Sequence, residues 1–278
     1  MCRNTPSGSP TAEDVDKFTQ AVDQSSHDEL SLYVQAQINA QLLKIHNAVS
    51  KCDELEQNYH SNVSDIVRKE KERQVLLDEV QYYVTAKQSS LPEAGEGAFI
   101  TATTSIPPGT VVALYPGLVH LKEYLREDDY LSSILPDPDF MLMARLDEAL
   151  VDGRSADQVP YNPYSVGHKI NHCGPDRKPN VMQVSFDYAN DMVFGVKFPR
   201  HLRPFVPNKY AREPSLIGRL AVGPTTFMPS VVLLATRHLS DGEELLMDYR
   251  LDPDSTNRCA LPAWYKPHNE AESRNRWL

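Results

Sequence analysis

The chain has 278 residues, with 28 Lys and Arg against 38 Asp and Glu and a formal net charge of -10 at pH 7. A chain of this length can bury an ample hydrophobic core, so it is not limited by core size. The negative charge disfavours direct binding to nucleic-acid phosphates and suits a cationic protein partner, although charge also serves solubility alone.

The four cysteines are widely scattered and form no Cys-x-x-Cys pair: Cys2, Cys52, Cys173 and Cys259. This spacing argues against a metal site and a disulfide framework, and it fits an intracellular compartment, nucleus or cytoplasm. Residues 1–16 have no signal-peptide or transit-peptide pattern, and no apolar run approaches the length of a membrane span. We therefore expect neither a metal cofactor nor a membrane partner.

The N-terminal part of the chain has the composition of a tail followed by helices. Residues 1–12 are predicted to be a disordered tail, because they offer little apolar surface to offset the entropy of ordering. Residues 13–90 are predicted to form a helical region, and within it Ser26-His27-Asp28-Glu29 matches a capping box that starts a helix. An apolar stripe at helical spacing follows: Leu30, Val34, Ile38, Leu42, Ile45, Val49 and Cys52.

A second apolar stripe runs from Val63 to Val84 and is interrupted by the charged run Arg68 to Arg73. It predicts a second helix with a solvated middle, packed antiparallel on the first helix or on the domain that follows. A coiled-coil partner surface is the alternative, although sustained heptads with charge pairing are not evident.

Leu91-Pro92 predicts the end of the helical region, because proline and the residue before it both resist continuing a helix. Short β-branched runs separated by turns then fill residues 91–250. The predicted strands are Gly95–Thr101, Thr110–Leu114, a run from Tyr115 to Val119, Ala149–Gly153, Val181–Tyr188, Met192–Phe198 and Val231–Ala235. We expect a mainly β domain here and a C-terminal flank over 251–278.

The stretch 199–229 is proline-bearing and locally basic within an acidic chain. Its charged side chains are Arg200, Arg203, Lys209, Arg212, Glu213 and Arg219. The composition favours a solvated loop. Docking of nucleic acid or of an acidic partner is the alternative.

Three strings stand in a fixed order along the predicted β domain: Gly95-Glu96-Gly97, Ile170-Asn171-His172-Cys173, and Gly242-Glu243-Glu244-Leu245-Leu246-Met247-Asp248-Tyr249. Together they resemble the signatures of the SET-domain protein lysine methyltransferases. The resemblance implies a SET-type β-clip of short strands with a knot-like C-terminal motif, with 91–250 as the catalytic domain and about 199–229 as an insertion. It also implies S-adenosyl-L-methionine as cofactor and, as partner, a protein substrate with an exposed lysine.

Methyl transfer from a sulfonium to an amine is an in-line displacement, so the enzyme must align the two reacting atoms and exclude water. A neighbouring cation and a desolvated channel lower the pKa of the target ammonium, so a strong general base is unnecessary. A tyrosine hydroxyl at the end of such a channel can orient the amine.

The resemblance assigns roles to particular residues. It implies Tyr249 as the catalytic hydroxyl. The implied cofactor-binding set is Ala94, Gly95, Glu96, Gly97, Asn171, His172 and Tyr249, and the implied substrate channel is Tyr115, Met247 and Trp264. Each string also has a structural alternative. For Gly95-Glu96-Gly97 it is a turn that opens a strand, for Asn171-His172 a loop pair with its hydrogen bonds satisfied within the fold, and for Tyr249 a core tyrosine.

The sequence departs from the family pattern at several positions. Cys173 stands where relatives have serine, residues 174–178 lengthen the following loop, and Met247 replaces the aromatic residue that sets the number of methyl groups transferred. A second hypothesis is therefore a catalytically weak or inactive SET-fold binding module that acts through its N-terminal helices. A hydrolase built on His172 and Cys173 is disfavoured, because adjacent side chains on an extended chain point to opposite faces.

Overall fold

The computed structural model describes residues 27–57, 64–92, 94–125, 141–189, 198–216, 226–251, 261 and 264–277. The chain divides into two units, residues 1–37 and residues 38–278. The first described helix begins in the first unit, and the sheets lie in the second. Within the described ranges, no helix combines the length and the apolar character that crossing a bilayer requires.

Two long helices precede the sheets: α1 (His27–Gln57) and α2 (Asp65–Val80). The stripe predicted on α1 is confirmed from residue 38 onward, because Ile38, Leu42, Ile45, Val49 and Cys52 are all buried. The Gln41 side chain joins α1 to residues 109–111, at the start of the strand Val111–Leu114. It donates to the Gly109 carbonyl at 3.0 Å and accepts from the Val111 N–H at 2.8 Å. The predicted cap at Ser26 lies outside the described residues.

The second helix is shorter than its apolar stripe predicted. Ser64 caps its start by accepting the Val67 N–H at 3.5 Å, and the charged middle is largely solvent-exposed, as predicted. The helix ends because Gln81 adopts a left-handed conformation with a φ of 79°. The prediction that the stripe continues to Val84 and that helix fills 13–90 is therefore wrong. Val84 lies in a strand whose first residues alternate between buried and half-buried positions.

Eleven strands within the described ranges form three sheets. A two-stranded antiparallel sheet pairs β1 (Tyr82–Gln88) with β2 (Glu96–Ala102). A five-stranded sheet has the order β3 (Val111–Leu114), β10 (Thr226–Ala235), β8 (Val181–Ala189), β11 (Leu246–Met247), β7 (Asn171–His172). A four-stranded sheet has the order β5 (Leu142–Ala144), β6 (Leu150–Asp152), β4 (Gly117–His120), β9 (Asn208–Tyr210).

Short helices complete the architecture: α3 (Lys122–Leu125), α4 (Glu270–Trp277), and 3-10 helices at Gly153–Gln158, Gly167–Lys169 and Arg200–Phe205. The predicted fold class, mainly β with an N-terminal helical region, is confirmed. The core is built chiefly from the five-stranded sheet, where β3 and most of β10 are buried.

The strand predicted over Tyr115 to Val119 is confirmed from Gly117 onward, where β4 begins, and it belongs to a different sheet from the strand before it. The chain leaves the five-stranded sheet after Leu114 and enters the four-stranded sheet at Gly117, which has a φ of 129°. A Cβ at this position would lie 1.9 Å from the Asp152 carbonyl oxygen, so only glycine fits. The two sheets are therefore joined at a position that excludes side chains.

The prediction of a solvated loop over 199–229 is wrong for the residues that are described there. Leu202 and Val206 are buried in and after the 3-10 helix, and residues 208–210 form β9. The guanidinium of Arg203 lies 4.4 Å from the Phe227 ring centroid, and that of Arg212 lies 4.5 Å from the Tyr124 ring centroid. Two of the basic side chains of this stretch therefore pack on aromatic faces. Residues 217–225, and residues 190–197 of another predicted strand, lie outside the described part.

The C-terminal strand is enclosed by the chain in the knot-like way that was predicted. β11 lies between β7 and β8 and is parallel to both. The loop that joins β7 to β8 is fastened at both ends, because the Cys173 N–H donates to the Met247 carbonyl at 3.0 Å and the Asn180 N–H to the Leu246 carbonyl at 2.9 Å. The Asn180 side chain adds a bond from the Leu246 N–H at 2.7 Å. Residues 174–178 lengthen this loop without disturbing its ends.

Candidate active site

A cleft of about 930 Å³ opens where the start of β2, the start of β7 and the end of β11 converge. Seven residues of the predicted site line it: Ala94, Glu96, Tyr115, Asn171, Met247, Tyr249 and Trp264. The other three, Gly95, Gly97 and His172, are not among its lining residues. The fold thus brings the first, second and third sequence strings to one cavity.

The loop before β2 owes its path to two glycines. Gly95 has a φ of 68°, in the left-handed region that favours glycine. Gly97 is required for a different reason, since a Cβ there would lie 2.3 Å from Oε1 of Glu244. These glycines shape the loop from behind, while Ala94 and Glu96 face the cleft.

Glu244 is a buried carboxylate beneath this loop. It accepts from Ser89 Oγ at 2.5 Å, from the Ser90 N–H at 3.0 Å and from Ser90 Oγ. Burial alone raises the pKa of this carboxyl, but the hydrogen bonds from Ser89, Ser90 and Asn171 outweigh burial and lower the pKa below its ordinary value. The ionised side chain joins the loop, β7 and the start of β11.

Asn171 and Lys169 close the same corner of the cleft. Asn171 donates from Nδ2 to the Glu96 carbonyl at 3.0 Å. Lys169 Nζ lies 2.5 Å from Glu96 Oε2, and this hydrogen bond and ion pair lower the pKa of the Glu96 carboxyl. The corner thus presents an amide, an ammonium and a carboxylate together.

His172 points away from the cleft and links Tyr249 to the C-terminal flank. Its Nδ1 accepts the Tyr249 N–H at 3.2 Å, so the proton of the neutral ring is on Nε2, which donates to the Lys266 carbonyl at 2.7 Å. Its ring centroid lies 4.7 Å from that of Tyr265. The side chain therefore positions the backbone of Tyr249.

The Tyr249 hydroxyl lies at the wall of the cleft and donates to the Ile170 carbonyl at 3.0 Å. Burial raises the pKa of the Tyr249 phenol to about 12. The phenol is therefore protonated at neutral pH and cannot serve as a base. Its oxygen keeps lone pairs that can accept a hydrogen bond from an amine.

Aromatic and apolar side chains line the cleft beside Tyr249. Trp264 is 57% exposed, and its ring centroid lies 6.2 Å from that of Tyr249 in an edge-to-face arrangement. Tyr115 is buried and donates from its hydroxyl to the Met141 carbonyl at 2.7 Å. Met247 is buried on β11. These walls can surround an aliphatic side chain and exclude water from it.

Sequence reasoning missed several residues of the cleft. His168 lines it with an Nδ1 that has no hydrogen-bond partner among the described residues, and burial lowers the pKa of this imidazole to about 4, so the ring is neutral. The other polar or charged lining residues that were not predicted are Lys169, Gln183, Arg250 and Arg276. His168 and Lys169 could have been found from their place just before Asn171, whereas Arg276 gives no sequence signal because it lies in the C-terminal flank.

The family model of the SET domain matches residues 97–250, which is more than half of the 278 residues. The chain belongs to the SET domain family. The SET domain is the fold of a protein lysine methyltransferase superfamily that uses S-adenosylmethionine. The matched range holds Gly97, Asn171 and Tyr249, whereas Ser89 and Ser90, which bind Glu244, precede it.

Two named relatives of this SET domain chain are SET domain-containing protein 9 from Homo sapiens and from Pongo abelii. Each is 29% identical over 209 residues, which is 64% of this chain. The match spans 62% of the human relative and 67% of the Pongo abelii relative, so the chain spans less than two thirds of the human protein's length. The SET domain chain also resembles a crystal structure of KRYPTONITE in complex with mCHH DNA, an H3(1-15) peptide and SAH. That similarity has a TM-score of 0.33 and 17% identity, over 62% of this chain and 24% of the other.

Proposed function

We propose that this protein is an S-adenosylmethionine-dependent protein lysine N-methyltransferase with Tyr249 as its catalytic hydroxyl. The observation that carries the proposal is the convergence of the 94–97 loop, Asn171 and Tyr249 on one cleft. Family membership supports the class of reaction, and the cleft supports the roles of the residues.

The polar corner of the cleft fits the amino-acid end of the cofactor. That end carries an ammonium and a carboxylate, and the corner offers the Glu96 carboxylate, the Lys169 ammonium and the Asn171 amide within one hydrogen-bonded group. When bound, the cofactor supplies an electrophilic methyl group on a sulfonium. We assign the ammonium of the cofactor to Glu96 and its carboxylate to Lys169, which requires the present ion pair to open.

The residues around Tyr249 fit the acceptor side of the reaction. A lysine side chain enclosed by Tyr115, Met247 and Trp264 would lose most of its water, and loss of water lowers the pKa of an ammonium. The ammonium would release its proton to water at the mouth of the cleft. The neutral amine would then donate an N–H to the Tyr249 oxygen, which orients the lone pair of the amine. Because the pKa of Tyr249 is about 12, its role is to orient the amine and not to remove its proton.

His172 and Glu244 act as positioning residues in this proposal. His172 fixes the Tyr249 backbone because its Nδ1 accepts the Tyr249 N–H. Glu244 fixes the Asn171 side chain and the loop that carries Glu96. Neither side chain needs to touch the cofactor.

The alternative is a SET-fold binding module that has lost turnover, and Met247 in place of an aromatic residue is the observation that favours it. The two are distinguished by the thermal unfolding midpoint with and without S-adenosylmethionine or its demethylated product. At a hundredfold excess over the dissociation constant, a ligand stabilises by about 2.7 kcal/mol, which should raise the midpoint by roughly 5 to 10 °C. The enzyme proposal expects a saturable rise with both ligands. A well-folded chain with no rise would favour the binding module.

A further inference from the structure

The charges that line the cleft differ in sign from those of the chain as a whole. The chain carries a net charge of -10, whereas the described lining residues include three cations, Lys169, Arg250 and Arg276, and one carboxylate, Glu96. Lys169 and Glu96 neutralise each other through their ion pair. Arg276 is itself paired with Asp248 and Glu272, so Arg250 is the lining cation that has no such pair among the described residues.

Arg250 follows Tyr249 directly and leaves its guanidinium available. The residue is exposed and lines the cleft, and its backbone has a φ of 55°, a conformation that non-glycine residues rarely adopt. The backbone is held there by a bond from the Arg250 N–H to Asp248 Oδ1 at 3.0 Å. Among the described residues, no side chain or carbonyl bonds to the guanidinium. Within the described part of the chain, the cation one residue after the proposed catalytic tyrosine thus has no bonded partner.

Arg276 contributes a second, more buried donor. Its Nη2 lies 3.7 Å from Asp248 Oδ2 and 3.1 Å from Glu272 Oε1. Its Nη1 is buried and has no hydrogen-bond partner within the described part of the chain. A buried donor without an acceptor is unfavourable, and a carboxylate is the acceptor that a guanidinium binds best.

We propose that Arg250 and Arg276 bind an aspartate or glutamate side chain that lies next to the target lysine in the acceptor protein. This inference rests on the proposed methyltransferase function and names its substrate class as a lysine flanked by acidic residues, as opposed to a lysine in a basic tail. Arg250 follows Tyr249 in the chain and Arg276 lies against Asp248, whereas Lys169 pairs with Glu96 of the 94–97 loop, which Asn171 also contacts. We therefore assign the cofactor carboxylate to Lys169 and the acceptor carboxylate to the arginines.

The test compares three fluorescent peptides that differ only in the residues flanking one lysine: Asp, Ala or Arg. Their affinity for the full chain is measured by anisotropy with the demethylated cofactor present. We expect the Asp peptide to bind tightest, by about fivefold over the Ala peptide, the upper range for an exposed ion pair. The preference should weaken as salt is added, because salt screens exposed charges.

Two charge-reversal variants distinguish an effect of the cleft cations on peptide binding from an effect of the net charge of the chain. Arg250→Glu should abolish or invert the preference for the Asp peptide. Lys44→Glu makes the same change in net charge on the exposed face of α1, outside the cleft, and should leave the preference unchanged. Both variants are checked for folding by circular dichroism and for S-adenosylmethionine affinity by calorimetry.

Each other outcome has a distinct meaning. Equal affinities, tightest binding of the Arg peptide, or no binding of the Asp peptide would overturn the inference. If Arg250→Glu lost affinity for the cofactor but kept the peptide preference, the inference would also be overturned. Arg250 would then be assigned to cofactor binding. A preference for the Asp peptide without methylation of any acceptor would keep the arginines as a carboxylate-binding site but refute the proposed activity, and with it the assignment of a methylated substrate.

Discussion

An alanine at position 97 tests the contact between the loop before β2 and the carboxylate beneath it. The added Cβ would lie 2.3 Å from Glu244 Oε1, far inside van der Waals contact, so the carboxylate must shift. That shift strains its bonds from Ser89 Oγ at 2.5 Å and from the Ser90 N–H at 3.0 Å. A hydrogen bond to a charged group contributes about 1.5–3 kcal/mol, so loss of one or two should lower the free energy of unfolding by roughly 2–4 kcal/mol. The midpoint should fall by about 5 to 12 °C.

A double-mutant cycle isolates the contact. Gly97→Ala, Glu244→Ala and the double variant are unfolded by heat and followed by circular dichroism. If the clash causes the loss, Gly97→Ala should cost little more in the Glu244→Ala background, because the obstructing oxygen is gone. Equal costs in both backgrounds, or a Gly97→Ala midpoint like that of the parent, would refute the reasoning. Cofactor affinity should fall with the midpoint in the single variant.

Two further changes test the polar corner and the buried imidazole. Lys169→Met should weaken S-adenosylmethionine binding about tenfold in calorimetry, the effect of one lost charge-assisted bond, while Lys178→Met in the knot loop should not. His46 is fully buried, and burial lowers its pKa from 6.5 to about 4, so the unfolded chain binds the extra proton between these values. The free energy of unfolding should therefore fall by roughly 3 kcal/mol as the pH drops from about 6.5 to 4. His46→Phe, which keeps a ring against Tyr188, should reduce that fall.

Each of these two predictions has an outcome that would contradict it. Equal cofactor affinities for the Lys169 and Lys178 variants would remove Lys169 from the cofactor site. A denaturant-derived stability that is flat between pH 6.5 and 4, or that falls as steeply in His46→Phe, would mean that His46 is not held neutral in the folded protein.

The sequence predicted those elements whose burial follows a short repeat along the chain. The apolar period of α1 identified its buried face from Ile38 to Cys52, because helix burial repeats with the turn of the helix. The strings at Asn171 and Tyr249 predicted their shared cleft because of the family resemblance. The predicted domain limits of 91 and 250, and the tail over 1–12, stay predictions.

Contacts between distant parts of the chain could not be predicted in the same way. The helical reading of residues 82–88 failed because their strand depends on pairing with β2, which the apolar spacing does not encode. Glu244 was missed because Ser89, its donor, lies 155 residues away. The stretch 199–229 was predicted to be a solvated loop because of its prolines and cations. Leu202 and Val206 within it are buried by tertiary packing, which the local composition does not indicate.

The most direct test of the proposed reaction is methyl transfer by the full chain and by Tyr249→Phe. Each is incubated with S-adenosylmethionine and lysine-bearing protein acceptors, and the acceptors are examined by mass spectrometry for methylated lysine. The Phe variant keeps the ring that packs near Trp264 and removes only the hydroxyl. We predict methylation by the parent chain and none by Tyr249→Phe, with cofactor affinities within a few-fold of each other. Equal methylation by both would contradict the role of Tyr249, and no methylation by a parent chain that binds the cofactor would contradict the enzyme proposal for the acceptors tested.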